Sequence, residues 1–243
     1  MNIILNGSNG RMGRIVDEAV ARGGAHAVAA RVDWSYAAGD GLSALKEYDG
    51  PADVVIDFSN HAATGQVTEY CVARGLPVVI ATTGQTEDEL ALIHEAAKAV
   101  PVFLSGNMSI GVALLADLAK KAAAVFPAAD IEIVEKHHNQ KLDVPSGTAL
   151  LLARRIQEAR PAATLLVGRH ENGKRTADEI GIHSLRYGNE VGTHEVIIAT
   201  GSETLTLKHE AESRALFAGG ALAAAEFLAG KAPGLYDMKD IVK

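Results

Sequence analysis

Hydrophobic and polar positions follow two alternating periodicities along the first hundred residues. Short apolar runs typical of buried strands occur at residues 3–5, 26–32, 54–56, 77–81 and 101–104. Between these runs, apolar residues recur at helical spacing from Met12 to Val20 and over residues 61–74. Thr86 and Glu89 have the spacing of a capping box at the start of a further helix. The alternation predicts a parallel sheet with helices on both faces.

The pattern changes after about residue 108. A helix is predicted over residues 112–125, then a strand ending near His138 and a helix after Ser146. Three strand-like stretches follow, at residues 181–187, 193–200 and 203–210. The pairs Gly188-Asn189 and Gly201-Ser202 separate these stretches and are typical of hairpin turns. We therefore predict a first domain from residues 1–108 and 213–243, and a second, mixed-sheet α+β domain from residues 109–212.

The segment between the predicted strand end and the helix after Ser146 combines several chemically useful side chains. His137, His138 and Lys141 lie there in close succession. The first turn of the helix leaves backbone N–H groups without intrahelical partners, and the helix dipole favours an anion at that end. Lysine suits a carboxylate or phosphate, and histidine can carry a proton near neutral pH. The segment fits the binding and protonation of a small anion; a solvated polar loop is the alternative interpretation.

A glycine-rich turn, Gly7-Ser8-Asn9-Gly10-Arg11-Met12-Gly13, joins the first strand to the first helix. Small residues allow the backbone to approach a pyrophosphate, and the helix presents its N terminus to it. Asp33 ends the second strand, where an acid can hydrogen-bond a ribose diol. These features predict a Rossmann-like, doubly wound α/β domain that binds a nicotinamide dinucleotide. A tight turn without a ligand is the alternative.

The residue after Asp33 bears on the choice between NADH and NADPH. It is Trp34, so no arginine directly follows the acid to hold a 2′-phosphate, and NADH is favoured. Arg11, Arg14 and Arg31 are close enough in sequence to leave NADPH open. Trp34 and Tyr36 are equally suited to stacking on adenine and to covering the edge of the core.

Two further loops follow predicted strands of the first domain. They are Ala81-Thr82-Thr83-Gly84 and Ser105-Gly106-Asn107-Met108. Open α/β sheets bind ligands at the carboxyl ends of their strands. We expect both loops to contact the nicotinamide half of the cofactor; simple connecting turns are the alternative.

Composition and charge narrow the classes of function. Hydrophobic residues make up 48% and charged residues 22% of the chain, as in ordinary globular proteins. The net charge of −7 argues against broad attraction to nucleic acid or to an anionic membrane. We expect neither a secretory signal nor a membrane span, since no run of about 18 apolar residues occurs. Cys71 is the single cysteine, which fits a reducing cytoplasm.

Taken together, these motifs resemble the dihydrodipicolinate reductase family over essentially the full length. The resemblance includes the glycine-rich turn, the two loops above, Asp57-Phe58-Ser59 and the stretches 107–112 and 234–238. Residues 137–149, with the pattern His-His-x-x-Lys-x-Asp-x-Pro-Ser-Gly-Thr, are its most diagnostic part.

The resemblance implies a cytoplasmic, homotetrameric oxidoreductase of lysine and diaminopimelate biosynthesis. Such an enzyme reduces 4-hydroxy-tetrahydrodipicolinate, a cyclic dicarboxylate, with NADH or NADPH. His137 would be the general acid and Lys141 its partner in protonation. His138 would contact the substrate, while Gly147 and Thr148 would hold a carboxylate. The second domain would bind substrate and form the tetramer through its sheet.

The resemblance also implies which residues of the first domain bind the dinucleotide. They are Gly7, Ser8, Asn9, Gly10, Arg11, Met12, Asp33, Ala81, Thr82, Thr83, Ser105, Gly106, Asn107 and Met108. The chain departs from the family pattern at Trp34, and at Asn139 and Gln140, where many relatives carry basic residues.

Three other functions are weighed against this interpretation. One is another amino-acid-type NAD(P)-dependent dehydrogenase, such as an aspartate dehydrogenase. A second is a non-catalytic redox sensor that binds a dinucleotide. A third is a metal-dependent hydrolase using His137, His138 and His170. Adjacent histidines on a strand point to opposite faces, so we expect no metal site there.

Overall fold

The computed structural model describes residues 1–37 and 39–243, over which the chain forms eleven strands and seven α-helices. The strands are β1 (Asn2–Asn6), β2 (Ala27–Val32), β3 (Val54–Asp57), β4 (Val78–Ile80), β5 (Pro101–Leu104), β6 (Asp130–His137), β7 (Thr164–Val167), β8 (Glu179–Arg186), β9 (Thr193–Ala199), β10 (Thr204–Glu210) and β11 (Gly234–Tyr236). The helices are α1 (Arg11–Gly23), α2 (Thr64–Arg74), α3 (Glu87–Ala96), α4 (Ile110–Val125), α5 (Gly147–Gln157), α6 (Ala215–Leu228) and α7 (Met238–Ile241).

The first sheet is parallel throughout, with strand order β11-β5-β4-β3-β1-β2. Its central strands are apolar along their whole length, because helices cover both faces of such a sheet. Ile3, Ile4 and Leu5 of β1 are completely buried. The chain order reverses between β1 and β3, and the loops after these strands meet at one edge. The predicted parallel, doubly wound sheet is confirmed.

Helix ends in the first sheet's half of the chain follow the local signals in the sequence. Thr86 and Glu89 form the predicted capping box at the start of α3. Helix α1 ends at Gly24, whose φ of 66° lies in the left-handed region that favours glycine. Helix α2 ends in the same way at Gly75.

The second sheet is mixed, with strand order β10-β9-β6-β8-β7. Strand β9 is antiparallel to β6 and β10, whereas β8 is parallel to β6 and β7. The hairpin predicted at Gly201-Ser202 is confirmed. The hairpin predicted at Gly188-Asn189 is wrong, because β6 lies between β8 and β9. Turn residues such as Gly-Asn indicate that the chain changes direction, but they do not indicate which strands pair in the sheet.

One face of the second sheet carries the core of its unit. The buried aliphatic residues on that face pack with α4 and α5; they are Ile131, Ile133, Ile180, Ile182, Val196 and Ile198. The other face carries half-buried polar residues that include Glu132, Lys136, His183 and Glu195. This second face is therefore polar and partly exposed to solvent, unlike the apolar face that carries the core.

The chain divides into two compact units. One comprises residues 1–110 and 214–243, and the other comprises residues 111–213. Within the described residues, no helix combines the length and the apolar character that a bilayer crossing requires.

Candidate active site

The glycine-rich turn in the first unit requires glycine at two positions. Gly7 has φ of 77°, and a Cβ there would lie 2.4 Å from the carbonyl oxygen of Phe58. A Cβ on Gly13 would lie 2.1 Å from the carbonyl oxygen of Gly7, so only glycine lets α1 pack this close to the turn. The N–H groups of Gly7 and Ser8 donate to the carbonyl of Val32, at 2.8 and 3.1 Å. These contacts fasten the turn to the end of β2.

Asp33 links the glycine-rich turn to the turn that follows β2. Its Oδ2 accepts from the backbone N–H of Asn9 at 3.1 Å. Its Oδ1 accepts from the N–H and the hydroxyl of Ser35, at 3.0 and 2.6 Å. A carboxylate has about four acceptor sites, so this buried one retains capacity for a further donor.

A cavity of about 360 Å³ lies at the carboxyl ends of β1, β2 and β3. Its lining includes Asn6, Gly7, Gly10, Asp33, Trp34 and Phe58. The volume falls within the range of small-ligand sites. Asp33 is the only charged residue among the described residues that line it. The glycine-rich turn and Asp33 therefore face the same concave space, as the sequence predicts.

A buried carboxylate, Asp57, joins three neighbouring strand ends in the first sheet. It accepts from Asn6 Nδ2 at 2.7 Å, from Ser59 Oγ at 2.6 Å and from Thr82 Oγ1 at 2.6 Å. Burial raises the pKa of Asp57, although these hydrogen bonds partly offset the effect. Thr82 belongs to the predicted loop 81–83, which is thereby fixed next to the glycine-rich turn.

The second predicted loop, Ser105 to Met108, is held by its own side chains. Ser105 Oγ donates to the carbonyl of Asn107 at 2.8 Å, and Asn107 Oδ1 accepts from the N–H of Ser109 at 2.9 Å. Helix α6 passes so close that a Cβ on Gly220 would lie 1.6 Å from the carbonyl oxygen of Met108.

Arg11 and Met12, the last two predicted cofactor-binding residues of the glycine-rich turn, are the first residues of α1, and Arg11 is exposed.

In the second unit, a buried carboxylate holds His137. Glu135 Oε2 and His137 Nδ1 lie 2.5 Å apart on β6, and both residues are buried. Arg186, from β8, donates to both oxygens of Glu135, at 2.9 and 2.7 Å. The N–H of Ser146 donates to the same carboxylate at 3.1 Å. Burial raises the pKa of Glu135, but hydrogen bonds from His137 and Arg186 outweigh burial and hold it well below 4.5.

His194, from β9, supports the same region from the other side. Its Nε2 lies 3.1 Å from Ser146 Oγ, and its ring makes an edge-to-face contact with His137, with centroids 5.1 Å apart. Burial and the nearby His137 lower the pKa of His194 from 6.5 to about 3. His194 is therefore a neutral, hydrogen-bonding support at physiological pH.

Helix α5 begins directly behind these residues. Ser146 caps it, and its Oγ accepts from the N–H of Ala149 at 3.2 Å. Gly147 and Thr148 form the first turn. No atom lies within 4 Å of the position that a Cβ on Gly147 would occupy, among the atoms described. Space is therefore open beside Gly147, in the first turn at the positive end of α5, where the carboxylate site is predicted.

Lys141 and His138 lie on the turn between β6 and α5. The N–H of Lys141 donates to the carbonyl of His138 at 3.2 Å. Lys141 Nζ contacts Asp143 at 2.8 Å, and the Asp143 side chain is largely exposed. The charge of Lys141 makes a minor contribution to the lowered pKa of His194, smaller than those of burial, His137 and His209.

Three of these side chains have the separation of metal ligands. Atoms of Glu135, His137 and His194 lie within 4.8 Å of one another. The guanidinium of Arg186 already satisfies both oxygens of Glu135, and its positive charge opposes a bound cation. We interpret the group as a hydrogen-bonded support for His137. His170, the third histidine of the hydrolase alternative, lies on an exposed turn beside the carbonyl of Gly168.

No functional role is predicted from the sequence for Glu135, Arg186, Ser146 or His194. In the register of the second sheet, Glu135 lies opposite His194 on β9, while His137 lies opposite Arg186 on β8. Because β8 and β9 were wrongly predicted to form a hairpin, the pairing of both strands with β6 could not be predicted. The alternation along β6, which places Glu135 and His137 on one face, was the available signal.

Comparisons with known proteins agree over the full chain. Residues 1–108 match the family model described as dihydrodipicolinate reductase, N-terminus, and residues 111–242 match the C-terminus model. The 4-hydroxy-tetrahydrodipicolinate reductase of Caldanaerobacter subterraneus subsp. tengcongensis is 47% identical, over 100% of this chain and 98% of that protein. The reductase of the same name from Clostridium novyi is 43% identical, over 99% and 98%.

Solved structures lead to the same family. A dipicolinate-bound dihydrodipicolinate reductase from Paenisporosarcina sp. TG-14 superposes with a TM-score of 0.84 at 27% identity, covering 99% of each chain. The aspartate dehydrogenase of Thermotoga maritima, an example of the amino-acid dehydrogenase alternative, reaches a TM-score of 0.51 at 12% identity and shares only the fold. The chain belongs to the dihydrodipicolinate reductase family.

Proposed function

We propose that the chain reduces 4-hydroxy-tetrahydrodipicolinate to tetrahydrodipicolinate in lysine and diaminopimelate biosynthesis. NADH or NADPH donates the hydride, one proton is consumed, and the 4-hydroxyl group leaves as water. The observation that carries this proposal is the arrangement in the second unit. A supported histidine, a lysine and a helix N terminus occupy one short stretch of chain, which suits an anionic substrate that must be protonated. The full-length relatives named as this reductase support the same reaction.

The first turn of α5 and Lys141 bind the substrate carboxylates in this proposal. Gly147 and Thr148 present backbone N–H groups at the positive end of the helix. Lys141 exchanges its contact with Asp143 for a substrate carboxylate. The Asp143 side chain is 57% exposed, and an ion pair with a solvated partner contributes only about 0–1 kcal/mol, so this exchange costs little. His138 contacts the bound substrate from the same turn.

His137 supplies the proton. The carboxylate of Glu135 is ionised, as its lowered pKa requires, and an ionised carboxylate only accepts hydrogen bonds. Nδ1 of His137 therefore carries a hydrogen toward Glu135, and Nε2 is the atom that exchanges a proton with substrate. Gly192 lies beside Nε2, where a Cβ would approach to 3.0 Å, so glycine at this position leaves no side chain against that atom. Positioned acids of this kind contribute about 10²- to 10⁴-fold to rate.

The first unit binds the dinucleotide, whose nicotinamide supplies the hydride when bound. We place its pyrophosphate on the glycine-rich turn and its adenosine ribose on Asp33. The loops 81–83 and 105–108 receive the nicotinamide half, since they follow the next strands of the sheet.

Charge at the cavity favours NADH over NADPH in this proposal. Asp33 is the only charged residue among the described lining residues, and it repels a 2′-phosphate. Arg31 is already paired with Asp17 through two hydrogen bonds of 2.8 and 2.7 Å. Arg14 is bound to the carbonyl and side-chain oxygens of Asn9.

A coupled assay tests the reaction. Pyruvate and aspartate semialdehyde are condensed by the upstream synthase and offered with NADH or NADPH, and absorbance loss is followed. We expect oxidation of both cofactors with a higher kcat/KM for NADH, and Asp33→Ala narrows that preference. If the folded chain binds a dinucleotide but oxidises neither cofactor, the assignment fails, and another dehydrogenase or a non-catalytic sensor takes its place.

We propose further that the chain is a cytoplasmic homotetramer that associates through the polar face of the second sheet. That face already holds ordered ion pairs, such as Lys136 with Glu195 at 2.9 Å. Sedimentation equilibrium tests the association, with Glu195→Arg as the variant that places two like charges together on this face. A wild-type monomer at assay concentrations would contradict it.

A further inference from the structure

We propose that the indole of Trp34 is the surface on which the adenine ring of the dinucleotide stacks. This inference rests on the proposed binding of a dinucleotide by the first unit. Trp34 is 87% exposed, although tryptophan side chains are on average highly buried. An indole held in water beside a ligand-sized cavity is suited to stacking on a planar aromatic ligand.

The position of Trp34 follows the order of groups along a dinucleotide. The pyrophosphate lies on the Gly7 turn and the adenosine ribose on Asp33, so adenine extends past Asp33. Trp34 is the next residue and lines the same cavity. The loop after β3, with Phe58, lines it as well. The ring of the ligand therefore reaches the indole without leaving the cavity.

Tyr36, the other aromatic residue of this loop, already has a structural role. Its hydroxyl lies 3.0 Å from Ser8 Oγ and accepts a hydrogen bond from it. Its ring packs so closely against the backbone that a Cβ on Gly41 would lie 2.6 Å from Tyr36 Cδ2. Tyr36 thus anchors the loop to the glycine-rich turn, and Trp34 is the aromatic residue that is available to a ligand.

The turn that carries Trp34 is fixed on the side of Asp33. The N–H and the hydroxyl of Ser35 both donate to Asp33 Oδ1, and the N–H of Tyr36 donates to the carbonyl of Asp33. The backbone on either side of Trp34 is therefore tied to the residue that we place against the ribose. Holding the indole at a defined distance from the ribose lowers the ordering cost of stacking.

Stacking of adenine on Trp34 should not depend on whether the adenosine ribose carries a 2′-hydroxyl, as in NADH, or a 2′-phosphate, as in NADPH. Variants of Trp34 and Asp33 can therefore be distinguished. Loss of the indole should weaken the binding of NADH and of NADPH by the same factor, whereas loss of the Asp33 carboxylate should change the ratio of the two affinities. Base–aromatic stacking of this kind corresponds to a loss of about 5- to 150-fold in affinity on replacement by alanine.

The chain contains a single tryptophan, so its intrinsic fluorescence reports Trp34 alone. ADP-ribose, which has the adenosine and pyrophosphate but no nicotinamide, is titrated into the full chain. Excitation at the red edge of indole absorption avoids adenine. We expect saturable quenching with ADP-ribose, and no change with nicotinamide mononucleotide, which lacks adenine.

Calorimetry on two variants completes the test. Trp34→Ala should weaken ADP-ribose at least about fivefold, while Trp34→Phe, which keeps an aromatic face, should retain most of the affinity. Leu142→Ala, at a highly exposed apolar position of the other unit, is the matched control and should bind ADP-ribose as the parent does.

Three results would overturn the proposal. They are ADP-ribose binding that leaves Trp34 emission unchanged, equal affinity of the parent and Trp34→Ala, and no ADP-ribose binding by the parent. Failure of the proposed reaction is recognised separately. An inactive chain that still binds ADP-ribose with quenching of Trp34 would refute the reductase assignment and retain the stacking site.

Discussion

Glu135 and His137 lie two residues apart on β6, on the same face of the second sheet, and share a hydrogen bond of 2.5 Å. Arg186 neutralises the carboxylate from the neighbouring strand, and the N–H of Ser146 ties it to the start of α5. One buried carboxylate therefore orients the proposed proton donor and positions the proposed carboxylate site. Histidine orientation and helix position depend on the same group.

Replacement of Glu135 by Gln should lower kcat about 10- to 100-fold, because His137 loses the carboxylate that fixes the orientation of its ring. The dissociation constant for NADH should not change, since the cofactor binds to the other unit. Steady-state kinetics and calorimetry measure the two quantities. Glu158→Gln, at a partly exposed position of the same unit, is the control for loss of a carboxylate.

A second variant separates the loss of orientation from a loss of stability. Glu135→Gln leaves Arg186 partly buried without its partner, which can cost about 3–5 kcal/mol. The double variant Glu135→Gln/Arg186→Met removes both charges and should regain thermal stability without regaining activity. Full activity in either folded variant would show that Glu135 does not position the proton donor.

Two adjacent glycines of α6 should respond in opposite directions to alanine. Gly219 is exposed, and a new Cβ there would meet no described atom within 4 Å outside the backbone of its own helix, so Gly219→Ala should stabilise the fold by about 0.5–1 kcal/mol. Gly220→Ala would drive its Cβ into the carbonyl of Met108 and should destabilise by about 1–3 kcal/mol or more. Urea unfolding measures both, and equal effects would refute the close packing of α6 on the loop 105–108.

The buried, neutral His194 should make the protein less stable as the pH falls. Its pKa is lowered to about 3 in the folded chain, whereas the unfolded chain protonates it near its ordinary 6.5. Between these values the unfolded state binds a proton that the folded state excludes, so stability decreases as pH decreases. The contribution between pH 7 and pH 5 is about 2 kcal/mol.

Urea unfolding of His194→Gln at both pH values measures this contribution. The difference in unfolding free energy between pH 7 and pH 5 should be about 2 kcal/mol smaller in the variant than in the parent. His94→Gln, at an exposed position of α3, is the control for removing an imidazole. An unchanged difference in His194→Gln would mean that His194 is not held neutral.

The features that could be predicted from the sequence are those defined by short stretches of neighbouring residues. The capping box at Thr86, the glycine turn at Gly7 and the segment with His137 and Lys141 are each defined within about a dozen residues. Their chemistry follows from periodicity, helix ends and residue type. Five of the six strands of the first sheet were predictable for the same reason, because continuous apolar runs are typical of buried parallel strands. Strand β11 of that sheet and strand β7 of the second sheet, which are three and four residues long, were not predicted.

The contacts that could not be predicted join residues that are far apart in sequence and depend on which strands pair. Arg186 is 51 residues from Glu135 in sequence, and its contact exists only because β8 pairs with β6 and not with β9. Ser146 and His194 are 48 residues apart and meet for the same reason. The Asp57 network likewise depends on three strands ending side by side. A turn signal such as Gly188-Asn189 contains no information about these pairings.

In the proposed reaction, the second unit binds and protonates an anionic substrate through Lys141 and His137. The most direct measurement is kcat/KM for substrate in the coupled reductase assay, for the parent, Lys141→Ala and Lys121→Ala. Lys121 lies on the surface of α4 in the same unit and is the matched control. We predict a loss of at least about a hundredfold in Lys141→Ala, with unchanged NADH affinity and a normal rate in Lys121→Ala. A Lys141→Ala rate within a few-fold of the parent would contradict the account.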